Sequence, residues 1–199
     1  MKQRFQDLLM EYSLRTTSDA DQQEIEQVLW DEYGAEKAVF VLDMSGFSLM
    51  VQKYGVVHYL AMIRRMQLTV EPIINSYEGS VVKFEADNCF AVFDDVESAI
   101  QTGIRINNDL REENEETPNE FNIYVSCGID YGKILMIGGK DFFGNAVNCA
   151  SKLGEDLASQ GEIYVTEKAM SKVESGKFQS NPIDITISGI ELKGHSIIY

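Results

Sequence analysis

Asp43 and Asp87 each stand where an apolar run breaks into a turn, in Val39-Phe40-Val41-Leu42-Asp43-Met44-Ser45-Gly46-Phe47 and Val81-Val82-Lys83-Phe84-Glu85-Ala86-Asp87-Asn88. A carboxylate at the end of a core strand is costly to desolvate unless positive charge meets it. Two that converge favour a hard divalent cation with oxygen ligands. A second reading is structural: aspartates cap helices and make turns, and Asp43 before Met-Ser-Gly also fits a helix N-cap. On position alone the two readings stand level.

The elements that must position this pair follow from periodicity. Residues 38–43 read as a buried strand and 48–77 as one long helix, with Leu49, Met50, Leu60, Ile63, Leu68, Val70 and Ile74 facing the core and Pro72 ending or bending it. Residues 80–86 and 88–93 read as a hairpin, 95–112 as a helix, 121–130 and 133–137 as strands, 145–159 as a helix and 162–166 as a strand. Ile183 to Ile187 and Ile197 to Tyr199 read as added edge strands. The order βαββαβ predicts an α+β fold with a ferredoxin-like core, its helices on one face of an antiparallel sheet, further C-terminal strands and an N-terminal helical segment. The first strand and the hairpin are then neighbours, which lets Asp43 and Asp87 meet at one edge of the sheet. Residues 1–36 carry Phe5, Leu8, Leu9, Tyr12, Ile25, Val28 and Leu29 at helical spacing, with a new helix start near Ser18-Asp19-Ala20-Asp21. They read as a helical lead-in to a domain at 37–199, packed on the core or offered to a second subunit or a regulatory partner.

Composition narrows the function. A chain of 199 residues, 44% hydrophobic and 25% charged, reads as one globular domain with a sizeable core. Its net charge of -15 argues against nucleic acid as a partner, because affinity for a phosphate backbone needs a basic surface. A nucleotide is still admitted where a few lysines and a divalent ion make a local positive spot. No apolar run reaches membrane-spanning length and the start lacks a signal-peptide core, so the expectation is a cytoplasmic protein without membrane insertion. Cys89, Cys127 and Cys149 show neither CxxC spacing nor neighbouring histidines, and read as reduced core thiols. Gly138-Gly139-Lys140 lacks the earlier glycine and the following Ser or Thr of a phosphate loop, and reads as a turn.

Four segments in order and spacing, Asp43-Met44-Ser45-Gly46-Phe47-Ser48, Lys83-Phe84-Glu85-Ala86-Asp87, Gly128-Ile129-Asp130-Tyr131-Gly132 and Asp141-Phe142-Phe143-Gly144-Asn145-Ala146-Val147-Asn148, resemble the catalytic domain of class III nucleotidyl (adenylyl/guanylyl) cyclases. The resemblance runs from about Ala38 to Tyr199. It implies an adenylyl cyclase in which the ribose 3'-hydroxyl of ATP attacks the α-phosphate, giving 3',5'-cyclic AMP and pyrophosphate. It implies two divalent cations, Mg²⁺ or Mn²⁺, held by Asp43 and Asp87 with the carbonyl of Met44. Asn148 matches the asparagine that orients the ribose. Lys152 stands where the family normally has an arginine facing the phosphate in the transition state, keeping the charge without the planar fork. Gly46, Phe47 and Val147 are implied substrate contacts, and Lys193 or His195 a triphosphate contact.

Lys83 can only donate hydrogen bonds and ionised Asp141 can only accept them, which complements the N1 acceptor and amino donor of adenine. They match the family's purine-reading positions in their adenylyl form. In the family the metal aspartates and the base readers come from opposite subunits, so a chain with both halves implies a head-to-tail homodimer with two shared sites. Alanine at Ala86, where the family usually has glycine, is a second departure beside Lys152, and a turn that needs a positive φ there would be strained by it or would shift Asp87. Two alternatives stay open: a cyclase for GTP or a pyrimidine nucleotide, and a catalytically weak or inactive nucleotide-binding dimerisation module. Outside their motifs, Lys83 would read as a solvated strand residue, Asp141 as a turn, and Asn148 with Lys152 as an exposed helix face.

Overall fold

Strand β1 (Gly34–Met44) organises the chain: Ala38, Val39, Phe40, Val41 and Leu42 are all fully buried, because alternate side chains enter two covered faces. It pairs antiparallel with β3 (Asn88–Phe93) on one side and β4 (Val125–Ile137) on the other. Strand β2 (Ser80–Glu85) lies outside β3, giving the order β2-β3-β1-β4 of a ferredoxin-like core. Beyond β4 the sheet continues through β6 (Ile163–Thr166), β8 (Ile190–Ile198) and β7 (Gln179–Ile187), and short β5 (Asp141–Phe143) folds back on β4. In the computed structural model the described residues are 2–14, 17–187 and 190–199, without the side chains of 47–49, 185–187 and 190–191.

One face carries Ala38, Phe40 and Leu42 against Met62, Met66, Val70 and Ile74 of α4 (Val56–Ser76) and Ile100, Ile106 and Leu110 of α5 (Val96–Glu116). The Asp95 carboxylate accepts from Ser98 N at 2.7 Å and starts α5. The opposite face carries Val39 and Val41 against Phe90, Val92, Ile134 and Phe142, under Ala146 and Ala150 of α6 (Asn145–Ser151). Helices therefore cover both faces, and β4 pairs with β6 in parallel, so the sheet is mixed where a purely antiparallel one with helices on a single face was expected.

Other expectations change in detail. The single helix over 48–77 is two, α3 (Phe47–Tyr54) and α4, because Gly55 at φ 87° leaves the helical region between them, while Pro72 lies inside α4. Leu60 and Leu68 are more than half exposed and do not join the core stripe; Tyr59, Met62 and Met66 do. The Leu49 side chain lies outside the described ones. The strands expected at 121–130 and 133–137 are one strand, β4. The helix expected over 145–159 is α6 followed by a π-helical turn, Lys152–Leu157. Of the C-terminal strands only β7 is at the edge, since β8 lies between β6 and β7.

The lead-in forms a hairpin of α1 (Lys2–Tyr12) and α2 (Asp19–Tyr33), the second opened by a reciprocal Ser18–Asp21 capping box. Phe5, Ile25, Leu29 and Tyr33 pack on Ile137 at the end of β4, and Arg4 meets Glu32 at 2.5 Å. Among the described residues, no helix is long and apolar enough to cross a membrane.

Candidate active site

Asp43 is the penultimate residue of β1, and alternation points it to the α6 face with Val39 and Val41. Its Cα partners are Asn88 and Ser126, and Met44 N donates to Asp87 O at 3.2 Å, so the β2–β3 turn and the end of β1 are stitched together. The helix-capping reading of Asp43 does not hold: Gly46, at φ 92°, occupies the N-cap of α3 and no side chain caps it.

Burial, then the nearby carboxylates of Asp87, Glu155 and Asp156, push the Asp43 carboxyl up to about 7. Glu155 is itself raised, first by burial and then by Asp156 and Asp87. The phenol of Tyr59, on α4, is raised by burial and by Asp87, with which it hydrogen-bonds. Burial and mutual repulsion thus concentrate unbalanced negative charge at this strand end. Among the described residues no group of three or more His, Cys, Asp or Glu is arranged to hold a metal ion.

The turn before Asp87 carries the expected strain. Ala86 has φ 51°, the left-handed region that costs a non-glycine residue about 1 kcal/mol or more. Ala86→Gly is expected to gain about 0.5–1 kcal/mol net of the looser unfolded chain, raising the melting temperature by about 1–4 °C. A lower melting temperature for that variant would remove strain from the description of this turn.

Lys83 and Asp141 meet within the chain, Nζ to Oδ1 at 3.2 Å, although they lie on β2 and β5. Lys83 also reaches Glu85 Oε2 at 2.9 Å and lies 5.2 Å from the centre of the Phe90 ring. Hydrogen bonding to Glu85, then to Asp141, raises the Lys83 ammonium above its ordinary value.

Asn148 and Lys152 stack one turn apart, with Lys152 N donating to Asn148 O where α6 becomes π-helical. Helix and sheet touch through two glycines. A Cβ on Gly128 would collide with Ala150 O and Gly154 N, and one on Gly154 would come within 2.9 Å of Gly128 N and Val41 O. Ser126 Oγ donates to Gly154 O at 2.9 Å and fixes the π turn opposite Asp43. Asp130 of the third motif is buried and accepts from the Thr166 hydroxyl.

Gly46 and Val147 sit at the starts of α3 and α6; the Phe47 side chain lies outside the described ones. Lys193 is exposed on β8, opposite Asp184 and separated from β4 by β6, so the single chain does not bring it to the other residues. His195 Nδ1 and Ser180 Oγ lie 3.1 Å apart across β7 and β8. Sequence reasoning missed Glu155, Asp156, Tyr59 and Glu85. Gly154, inside a supposed helix just before two acids, was the available signal for the first two.

Residues 32–199 match the family model for the adenylate and guanylate cyclase catalytic domain. Among solved structures, an adenylate/guanylate cyclase/hydrolase from Silicibacter pomeroyi is similar at 26% identity and a TM-score of 0.68, over 83% of this chain and 98% of that one. The adenylyl cyclase CyaB from P. aeruginosa shares the fold at 18% identity and a TM-score of 0.71, over 83% and 96% of the two chains. The guanylyl cyclase Cya2 does so at 15% and 0.73, over 82% and 92%. Among curated proteins, none matches this chain in sequence.

Proposed function

Since the chain belongs to the adenylate and guanylate cyclase catalytic domain family, we propose that it is an adenylyl cyclase, converting ATP to 3',5'-cyclic AMP and pyrophosphate at sites shared by two copies. The observation that carries the adenine preference is the Lys83–Asp141 pair, an obligate donor beside an obligate acceptor at 3.2 Å. Lys83 donates to N1 of the base and Asp141 accepts from its amino group, a polarity that guanine reverses.

Asp43, Asp87 and the Met44 carbonyl would hold two Mg²⁺ or Mn²⁺ ions. Once bound, such ions supply charge for the triphosphate and acidify the 3'-hydroxyl. Asn148 orients the ribose through its neutral amide, which does not compete for a cation. Lys152 places a positive charge toward the α-phosphate, where charge develops, though without the two-pronged contact an arginine makes. Gly46, Phe47 and Val147 line the substrate, and Lys193 meets the triphosphate. The Gly128–Gly154 contact seats α6 on the sheet and so sets where Asn148 and Lys152 stand.

The placement of these groups supports a site shared between two copies. Lys83 lies on β2, two strands from Asp43 and thus about 10 Å to the side, and Asn148 is exposed. In a head-to-tail homodimer, Asp43 and Asp87 of one protomer face Lys83, Asp141, Asn148 and Lys152 of its partner. The lead-in, α1 and α2, serves as a regulatory segment packed on the end of β4, ahead of a domain that takes in the whole of β1, and the protein works in the cytoplasm.

The test is direct incubation of the purified protein with ATP, GTP, CTP and UTP in Mg²⁺ and in Mn²⁺. Cyclic AMP is the expected main product. Binding without any cyclic product would make the domain a nucleotide-binding module, and a cyclic product mainly from another nucleotide would overturn the adenine assignment.

A further inference from the structure

Of the motif Gly128-Ile129-Asp130-Tyr131-Gly132, the function proposed above uses Gly128 alone, yet the segment places a carboxylate under α6. Asp130 is the Cα partner of Val39 and shares its face, with Gly128 and Gly132 on either side. Both glycines are crowded. A Cβ on Gly128 would strike Ala150 O, and one on Gly132 would come within 2.7 Å of Lys168 Nζ and 3.6 Å of Ala146 Cβ. Such a floor lets a helix approach closely but offers no ridge of side chains to fix how it is turned.

The carboxylate between the glycines supplies what they lack. Asp130 is 3% exposed and accepts from the Thr166 hydroxyl, which itself caps the short helix α7 (Glu167–Met170) by accepting from Ala169 N at 3.1 Å. It also accepts from the Tyr131 N–H and from the thiol of Cys149 on α6, and Lys168 of α7 acts on it by charge. Burial raises the Asp130 carboxyl, and these four contacts pull it back down. Asn145 Nδ2 donates to Cys149 Sγ at 3.5 Å, so the thiol is held within its own helix as well. A buried carboxylate met by directed donors selects one arrangement of its partners, where an apolar side chain would tolerate several.

We propose that Asp130 is a positioning residue, which through Cys149 fixes the rotation of α6 and with it the direction in which Asn148 and Lys152 are presented. The proposal rests on the cyclase reading above. Cys149 follows Asn148 directly, so a turn of α6 that breaks the contact of thiol and carboxylate swings the Asn148 amide by the same angle. Lys152, on the π turn that continues α6, moves with it. A displacement of about 1 Å in groups that orient a reaction costs up to about a hundredfold in rate. The loss belongs to kcat more than to KM, because the triphosphate and the base are held by other residues.

The experiment measures kcat and KM for ATP, melting temperature, and the rate at which iodoacetamide alkylates Cys149. It uses the full chain, its Asp130→Ala, Asp130→Asn and Cys149→Ala variants, and the double variant of the two alanines, each at a temperature where it is folded. Asp130→Ala should lower kcat by about tenfold or more with KM within about threefold, and Asp130→Asn, which keeps one acceptor, should fall between. Cys149→Ala should lower kcat too, and the double variant no further than Asp130→Ala alone, since both break one link. Alkylation should quicken by about tenfold in Asp130→Ala, where the thiol loses its acceptor and the negative charge beside it. An unchanged kcat in Asp130→Ala, or losses that multiply in the double variant, would overturn the positioning role whatever the melting temperature does. Should Asp130→Ala not fold, Cys149→Ala reads the same link, supporting it by a lower kcat and contradicting it by an unchanged one. Absence of cyclic product from the parent would sink the cyclase reading instead. The alkylation rate would still read the anchor, supporting it by rising in Asp130→Ala and contradicting it by staying constant.

Discussion

Asp43→Ala is expected to lower cyclic nucleotide formation by about a thousandfold or more, since it removes one of two carboxylates around which the triphosphate must be held. The same side chain predicts an effect without any substrate. The Asp43 carboxyl rises from 3.8 to about 7 in the fold, chiefly through burial and then through Asp87. Between those values the folded chain holds a proton that the unfolded chain has released. Stability from this group is therefore whole below the unfolded value and falls as pH rises through the window, the loss being complete above about 7. In the absence of divalent cations, Asp43→Asn should melt about 2–4 °C above the parent at about pH 8 and level with it at about pH 4. Mn²⁺ at the higher pH should raise the parent's melting temperature and leave the variant's unchanged. Equal melting at both pH values, or an equal response to Mn²⁺, would show that Asp43 is neither electrostatically strained nor a cation ligand.

Gly128→Ala should be the most damaging small substitution away from the acidic residues. Its Cβ would meet two backbone atoms, Ala150 O and Gly154 N, and the Leu153 Cβ at 2.9 Å, none of which can rotate away. Lifting α6 to make room is expected to cost about 1–3 kcal/mol, or about 2–12 °C in melting temperature. It should also cut turnover further than stability alone explains, because Asn148 rides on α6 and Lys152 on the π turn that continues it. Gly103→Ala, in α5, is the control: its Cβ meets the flexible end of Ile163 at 3.1 Å, and alanine favours a helix. Comparable losses of melting temperature in the two variants would mean that the close approach of helix to sheet has no special role.

Where single residues dominate the local physics, the fold was readable from sequence. The uninterrupted apolar run ending at Asp43 gave the central strand, and the Glu85-Ala86-Asp87-Asn88 turn gave the hairpin that pairs with it. Chain breaks inside amphipathic stretches were harder. Gly55 splits a helix whose apolar spacing continues across it, and Leu60 and Leu68 continue that spacing on a face turned to solvent. The π-helical turn escaped because five-residue hydrogen bonding leaves no periodic mark in a segment of six residues. The parallel pairing of β4 with β6 was invisible to a count of element order, which fixes neighbours within the βαββαβ unit and says little of strands added after it.

Some of the local geometry around the candidate residues was legible because the motifs stand at fixed spacings. Lys83 and Asp141 were paired by hydrogen-bond polarity before their contact at 3.2 Å was in view. Ala86 was singled out for a positive φ that the backbone adopts. Glu155 and Asp156 were not found because their approach to Asp43 depends on the π turn and on the Ser126–Gly154 hydrogen bond, both products of tertiary packing. The place of Lys193 is likewise a matter of assembly, since within one protomer β6 separates its strand from β4.

The sharpest test mixes two inactive proteins. If each site joins Asp43 and Asp87 of one copy to Asn148 and Lys152 of another, Asp43→Ala and Asn148→Ala chains, inert alone, will form heterodimers with one intact site. Random pairing should then restore about a quarter of the parental turnover. Activity no higher than that of either variant alone, under conditions where exchange of subunits is demonstrated, would contradict a catalytic centre shared between protomers.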